Sequence, residues 1–276
     1  YPSGKVSEVQ EKQFTTLGSN IIALEVKGTF DDCQRLVKEA FLDNQLKQKL
    51  FLTSANSINI ARLIPQMFYY FYAVAQIRDS RKKVVISVPS GNFGNLTAGL
   101  LAKRMGLGID TFVAATNIND VIPEYLKTKI FEPRKSKQTI SNAMDVGNPS
   151  NFARMMDIYD SDFEKLSKDI SGYSYTDKET KEIMKRIHSQ FGYVLDPHGA
   201  IGYLGLKDFM KSNSGYTGLF LETAHPAKFR EVVENAIDHE IEFPEKLKAF
   251  MKGKKQSISI GTDFETFKKL LPTLLA

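Results

Sequence analysis

Gly91, Asn92, Phe93, Gly94 and Asn95 stand between a short β-branched run, Val84–Val88, and a helical pattern over Leu96–Met105. A strand, a glycine-bearing loop and a helix start make a layout that binds anions. Glycine lets the backbone approach a ligand closely and take positive φ. The first amides of the helix lack intrahelical acceptors and point into the loop, and the helix dipole adds roughly half a positive charge there. Phosphate suits that chemistry, while a purely structural strand-to-helix turn is the other reading of an isolated G-x-x-G. Arg62 is a second candidate, near the start of the apolar helical stretch that begins at Ile58. A guanidinium on a buried helix requires an anionic partner, from a ligand or from an Asp or Glu of the chain. Ser57 is the expected cap of that helix, and Pro65 is expected to kink or divide it.

The elements that position these residues follow an α/β order. Strands are expected over Ile21–Val26, Val84–Val88, Thr111–Ala115 and Thr217–Glu222, with helices over Phe30–Leu42, from Ile58 on, and over Leu96–Met105, Phe152–Tyr159 and Thr176–Phe191. Thr176 with Glu179 forms a capping box and Gly192 a stop signal. Asp196-Pro197 opens another helix, one follows from about Ala227, and Thr262 with Glu265 opens the last. The segment 121–150 reads as irregular, broken by Pro123, Pro133 and Pro149. Three polar clusters, Ser90–Asn95, Thr116–Asp120 and Thr223–His225, directly follow strands. A mostly parallel sheet places them all on one edge, where open α/β sheets bind ligands.

Composition narrows the partners. The 276 residues are 42% hydrophobic and 25% charged, with a net charge of +5. Lys and Arg are scattered, and the clusters Arg81–Lys83 and Lys252–Lys255 read as solvated, so small anionic substrates fit better than nucleic acid. No apolar run of ~18 residues marks a membrane span. The single cysteine, Cys33, excludes an internal disulfide framework and fits a reducing, cytoplasmic setting. G-x-G-x-x-G, the P-loop and G-x-S-x-G are all absent, which argues against dinucleotide, P-loop nucleotide and serine-elbow chemistry. Phosphorylated metabolites and pyridoxal phosphate remain.

SANSINIARL, SVPSGNFGNLTAG, ATNIND, SNAMDVGNPSN and LETAHPAKF, in that order, resemble the threonine synthase family as it occurs in bacteria and fungi. The similarity runs from YPSGKVS to at least Phe229. It implies a fold type II pyridoxal phosphate enzyme: a three-layer α/β/α domain with a mostly parallel sheet, and a smaller α/β domain. It implies pyridoxal 5′-phosphate as cofactor and conversion of O-phospho-L-homoserine and water to L-threonine and phosphate. By resemblance, Gly91, Asn92, Phe93, Gly94 and Asn95 hold the cofactor phosphate and Thr223 meets the pyridine nitrogen. Ser57, Asn59 and Arg62 match the segment that binds substrate phosphate, while Asn119 and Asp120 lie in a family motif without an assigned role.

The family's Schiff-base lysine motif and its GDTGAA-like segment do not occur in these residues, so no catalytic residue is assigned within the chain. Both are expected upstream of Tyr1, and the chain reads as the C-terminal two-thirds of such an enzyme, inactive alone. Residues 1–53 are expected to be a remnant of the smaller domain and 54–276 the cofactor domain. The oligomeric state stays open between monomer and dimer. Other readings are a dehydratase-like or tryptophan synthase β-like member of the fold type, against which the SINIAR segment argues, and a non-catalytic binder of a phosphorylated metabolite.

Overall fold

The computed structural model describes residues 1–56, 59–79 and 81–274. They divide into two compact units, 54–241 and 1–53 with 242–276. Among the described residues six strands occur: β1 (Leu24–Val26), β2 (Lys83–Pro89), β3 (Thr111–Thr116), β4 (Ile170–Ser174), β5 (Tyr216–Phe220) and β6 (Ile258–Ile260).

The unit 54–241 holds a four-stranded sheet in the order β4-β3-β2-β5, with every pair parallel. Apart from Ser87 and their end residues, β2 and β3 are apolar along their length because both of their faces are covered. Val84, Ile86, Val88, Phe112 and Ala114 face one core, shared with Tyr70 of the helix Leu63–Ala75 and with Leu96 and Leu100 of the helix Gly94–Arg104. Val85, Val113 and Ala115 face the other, shared with Ile201 and Phe209 of the helix Pro197–Lys211. That alternation is the period-2 signature of a sheet between two helical layers. The approach of Pro197–Lys211 is close: a Cβ on Gly205 would lie 2.9 Å from side-chain atoms of Ala115 and Val113. Ser87 Oγ donates to the carbonyl of Gly202 at 2.7 Å.

Several elements differ from the sequence expectation. Leu63–Ala75 is not buried on most sides: it covers Leu63, Met67 and Tyr70 and leaves Ile64, Phe68 and Tyr72 exposed. A 3-10 turn, Ile60–Arg62, precedes it. Pro65 therefore falls in the first turn, where a missing N–H costs no hydrogen bond. Pro123 sits likewise in the first turn of a helix, Val121–Thr128, inside the segment expected to be irregular. The capping box of Thr176 and Glu179, the left-handed Gly192 and the Asp196 cap form as expected.

In the other unit β1 pairs in parallel with β6, Leu24 opposite Ile258. Val26, Leu36, Ala40, Leu46, Ile260 and Phe267 form its core. Residues 242–276, read from the sequence as part of the cofactor domain, thus fold with 1–53, because β6 completes the ladder of β1. Its last helix, Phe264–Thr273, is capped by Asp263, not Thr262, with the Thr266 N–H donating to Asp263 Oδ2 at 2.7 Å. Among the described residues no helix is long and apolar enough to cross a membrane.

Candidate functional site

Because the strands are parallel, the segments after β2, β3 and β5 leave the sheet at one edge, with the β2 exit between the other two. The β2 exit is fixed from several sides. The Ser90 N–H donates to the Ala115 carbonyl at 2.8 Å, Asn95 Nδ2 to the Pro89 carbonyl at 2.8 Å, and the buried Tyr70 hydroxyl to the Asn95 carbonyl at 2.7 Å. Thr97 Oγ1 donates to the Phe93 carbonyl at 2.7 Å.

The positive φ expected of the glycines belongs instead to Phe93, at 60°. A left-handed non-glycine residue carries strain that the surrounding contacts must hold. Neither Gly91 nor Gly94 has positive φ. Gly91 is needed for a different reason: a Cβ there would lie 2.7 Å from Met144 Cα and 2.9 Å from the Ala143 carbonyl oxygen. Phe93 provides no side-chain cap to Gly94–Arg104. Among the described residues the amide N–H groups of Phe93, Gly94 and Asn95 donate to no protein acceptor, so three donors are uncommitted at a positive helix end. Asn92 is committed elsewhere, its Oδ1 accepting from the Ser150 N–H at 2.6 Å.

After β3, Asn117 and Asn119 are buried with Thr139 and Ser141. Asn117 Nδ2 donates to Thr139 Oγ1 at 2.8 Å and to Asp145 Oδ1 at 2.9 Å, and Asn119 Nδ2 to Asp145 Oδ1 at 3.2 Å. Thr139 Oγ1 donates to Asp145 Oδ1 at 2.7 Å. Burial pushes the Asp145 carboxyl up, against the hydrogen bonds from Thr139 and Asn117. Asn119, without a role from sequence, therefore belongs to a buried network that ties 137–145 to the end of β3. Asp120 pairs with Arg134. Both line a cavity of about 400 Å³ with Glu124, Lys137, Ser174 and Thr176. No local sequence signal marks these partners, because they lie far apart in the chain.

After β5, Thr223 is exposed. It is not a helix cap: His225 takes that role, its Nδ1 accepting from the Ala227 N–H at 3.1 Å. The Thr223 hydroxyl has no partner among the described residues. Asn59 caps Ile60–Arg62, its Oδ1 accepting from the Ala61 N–H at 3.0 Å. Arg62 is exposed and makes no ion pair among the described residues, so the partner expected of a buried guanidinium is not required. Ser57 lies outside the described residues.

A parallel sheet with a bare helix end at its carboxyl edge is an arrangement in which α/β proteins bind phosphorylated groups. The sequence profile described as pyridoxal-phosphate dependent enzyme matches residues 1–216, and the chain belongs to that family. The profile described as threonine synthase, C-terminal, matches residues 199–271. Threonine synthase from Buchnera aphidicola subsp. Baizongia pistaciae is 48% identical over 272 residues, 98% of this chain and 62% of the relative. The crystal structure of threonine synthase from Escherichia coli superposes with a TM-score of 0.90 at 44% identity, covering 99% of this chain and 63% of that one. The PLP-bound threonine synthase from Brucella melitensis gives 0.88 at 34% identity, covering 99% and 64%. The chain thus spans less than two thirds of the length of these relatives.

Proposed function

We propose that the chain forms the phosphate-binding part of a threonine synthase, which converts O-phospho-L-homoserine and water to L-threonine and phosphate with pyridoxal 5′-phosphate. The observation that carries this reading is the bare helix end behind Phe93. Three uncommitted amide donors at a helix N-terminus suit a dianionic phosphate monoester, and the family is described as pyridoxal-phosphate dependent. When bound, the cofactor supplies an electron sink for the substrate carbanion.

The chain's own residues then have distinct tasks. Phe93, Gly94 and Asn95 hold the cofactor phosphate through backbone N–H groups. Gly91 and Asn92 keep that loop seated on 143–144 and 150–151. Thr223 offers its uncommitted hydroxyl to the ring nitrogen; a hydroxyl, unlike a carboxylate, does not hold that nitrogen protonated. Arg62, with Asn59 shaping its turn, grips the substrate phosphate, and Ser57 joins them. The cofactor-bearing lysine is taken from outside these residues. The free Cys33 suits a reducing compartment.

The decisive assay is phosphate release by a full-length synthase carrying this segment. Release from O-phospho-L-homoserine is expected. Activity only on unphosphorylated serine or threonine would replace the reading by a dehydratase, and binding without turnover would make it a phosphometabolite binder. A cheaper check uses the 276-residue chain: crystals soaked in sulfate are expected to show the anion on the Phe93–Asn95 amides, and an ordered but empty loop would remove the basis of the proposal.

A further inference from the structure

The turn that carries Thr223 is held by a cluster absent from the scheme above. Asp196, fully buried, caps Pro197–Lys211. Its Oδ1 accepts from the His198 N–H at 2.8 Å and lies 2.7 Å from His198 Nδ1, and its Oδ2 accepts from the Gly199 N–H at 3.4 Å. Because a carboxylate only accepts, the Nδ1 contact is an N–H donated to Asp196. The Asp196 carboxyl is also within hydrogen-bonding reach of the Glu222 carboxyl.

Glu222 is exposed as a residue, yet its carboxyl lies over Gly199: a Cβ on Gly199 would sit 2.2–2.5 Å from three of its carboxyl-group atoms. Only a residue without Cβ at 199 admits this arrangement. His198 is 3% exposed, and its ring centroid is 4.7 Å from that of Phe229. The start of one helix thereby touches both ends of the turn, Glu222 before Thr223 and Phe229 after it. His198 Nε2 is buried without a partner among the described residues.

We propose that Asp196, His198 and Glu222 are positioning residues that set the Thr223 turn, held closed by one proton shared between the Glu222 and Asp196 carboxyls. Two carboxyls in contact do not both ionise at low cost. Asp196 has three donors and a helix N-terminus, whereas Glu222 has no donor among the described residues, so the proton resides on Glu222. Burial alone would raise Asp196, yet the hydrogen bonds from His198 and the contact with Glu222 hold it below the usual carboxylate range. Burial and then Asp196 push Glu222 up to about 9. His198 and Tyr193 are the other titratable groups that face the pair, and the charges of Glu222 and Asp196 add to burial in raising the Tyr193 phenol.

The sign follows from linkage. A carboxyl raised on folding contributes stability below its unfolded value, near 4.5, and that contribution is lost as pH rises toward about 9. Glu222→Gln keeps the shape and a donor but cannot ionise.

The meaning for function rests on the Thr223 assignment, but the test needs no cofactor. Melting temperatures of the 276-residue chain, its Glu222→Gln and its Glu222→Ala variants are measured from pH 5 to 9. Glu222→Gln is expected to match the parent near pH 5 and to exceed it by about 3 °C or more at pH 9. Glu222→Ala is expected to melt below the parent at pH 5. Amide exchange over 223–229 is expected to quicken with pH in the parent beyond its intrinsic increase, and not in Glu222→Gln. A pH-independent difference between parent and Glu222→Gln, or exchange in the turn that follows the intrinsic rate in both, overturns the proposal. Failure of sulfate to bind at Phe93–Asn95 would sink the cofactor reading and leave these results untouched.

Discussion

Gly91→Ala is expected to lower the melting temperature of the chain by about 2–12 °C and to abolish anion binding at Phe93–Asn95. The added Cβ would meet Met144 Cα at 2.7 Å, the Ala143 oxygen at 2.9 Å and the Met144 carbonyl carbon at 3.3 Å. All three are backbone atoms, so no rotamer can swing aside. Nor can the opposing turn retreat freely. The Met144 N–H donates to the Ser141 carbonyl at 2.8 Å, and Ser141 is fully buried beside the Asn117–Thr139–Asp145 network. Overpacking of this kind costs ~1–3 kcal/mol, and in a domain of this size each kcal/mol is worth about 2–4 °C. Gly91 is not at positive φ, so the effect is steric. Gly108→Ala is the control: nothing lies within 4 Å of its added Cβ, and its shift should stay within ~0.5 kcal/mol. Calorimetry and sulfate titration on both variants decide the matter. A Gly91→Ala chain that melts and binds like the parent would show that 143–144 do not seat the loop.

What the sequence made legible was short-range. The Thr176–Glu179 capping box, the Asp196-Pro197 start and the left-handed Gly192 depend on residues close in sequence, and they form as read, whereas the last helix is capped one residue later than read, by Asp263. The central strands were legible because burial on both faces demands near-continuous apolar runs. β4 was not: its residues after Ile170 are only half buried, and Gly172 is there because a Cβ would lie 2.7 Å from Pro123 Cα. Such a strand is specified by its neighbour and not by its own pattern. The fate of 242–276 was hidden for the same reason, since the three residues of β6 carry almost no signal until β1 is beside them. In the site, G-x-x-G drew attention to the loop after β2, but the backbone roles within it are divided differently from the reading. The glycine permits a backbone contact, and Phe93 bears the strain. The Asn117–Asp145 network and the Asp196–Glu222 contact were invisible because their members are brought together only by the sheet edge.

Arg62→Lys, assayed in a full-length synthase carrying this segment, is expected to reduce kcat/KM for O-phospho-L-homoserine by about 10- to 100-fold with the melting temperature unchanged within about 1 °C. The stability half of this expectation comes from the structure. Arg62 is exposed, ends a 3-10 turn, and has no carboxylate partner among the described residues. Surface positions of this kind contribute within ~0.5 kcal/mol to folding. A guanidinium set at the start of Leu63–Ala75 without an internal anion is free to meet an external one, and the adjacent helix end favours negative charge. The kinetic half comes from geometry. A planar fork grips two phosphate oxygens at once, whereas lysine keeps the charge but offers a single point donor. Removing a charged hydrogen-bond partner altogether costs ~2–5 kcal/mol. Retaining the charge should reduce that to ~1–3 kcal/mol, equivalent to one or two decades in kcat/KM. Cofactor affinity should change little, because the cofactor phosphate rests on Phe93–Asn95. A variant that loses melting temperature while its turnover per folded molecule is intact would make Arg62 structural. One that keeps both would move the substrate phosphate elsewhere along the sheet edge, with Arg134 and Lys137 around the cavity beyond β3 the next cations to test.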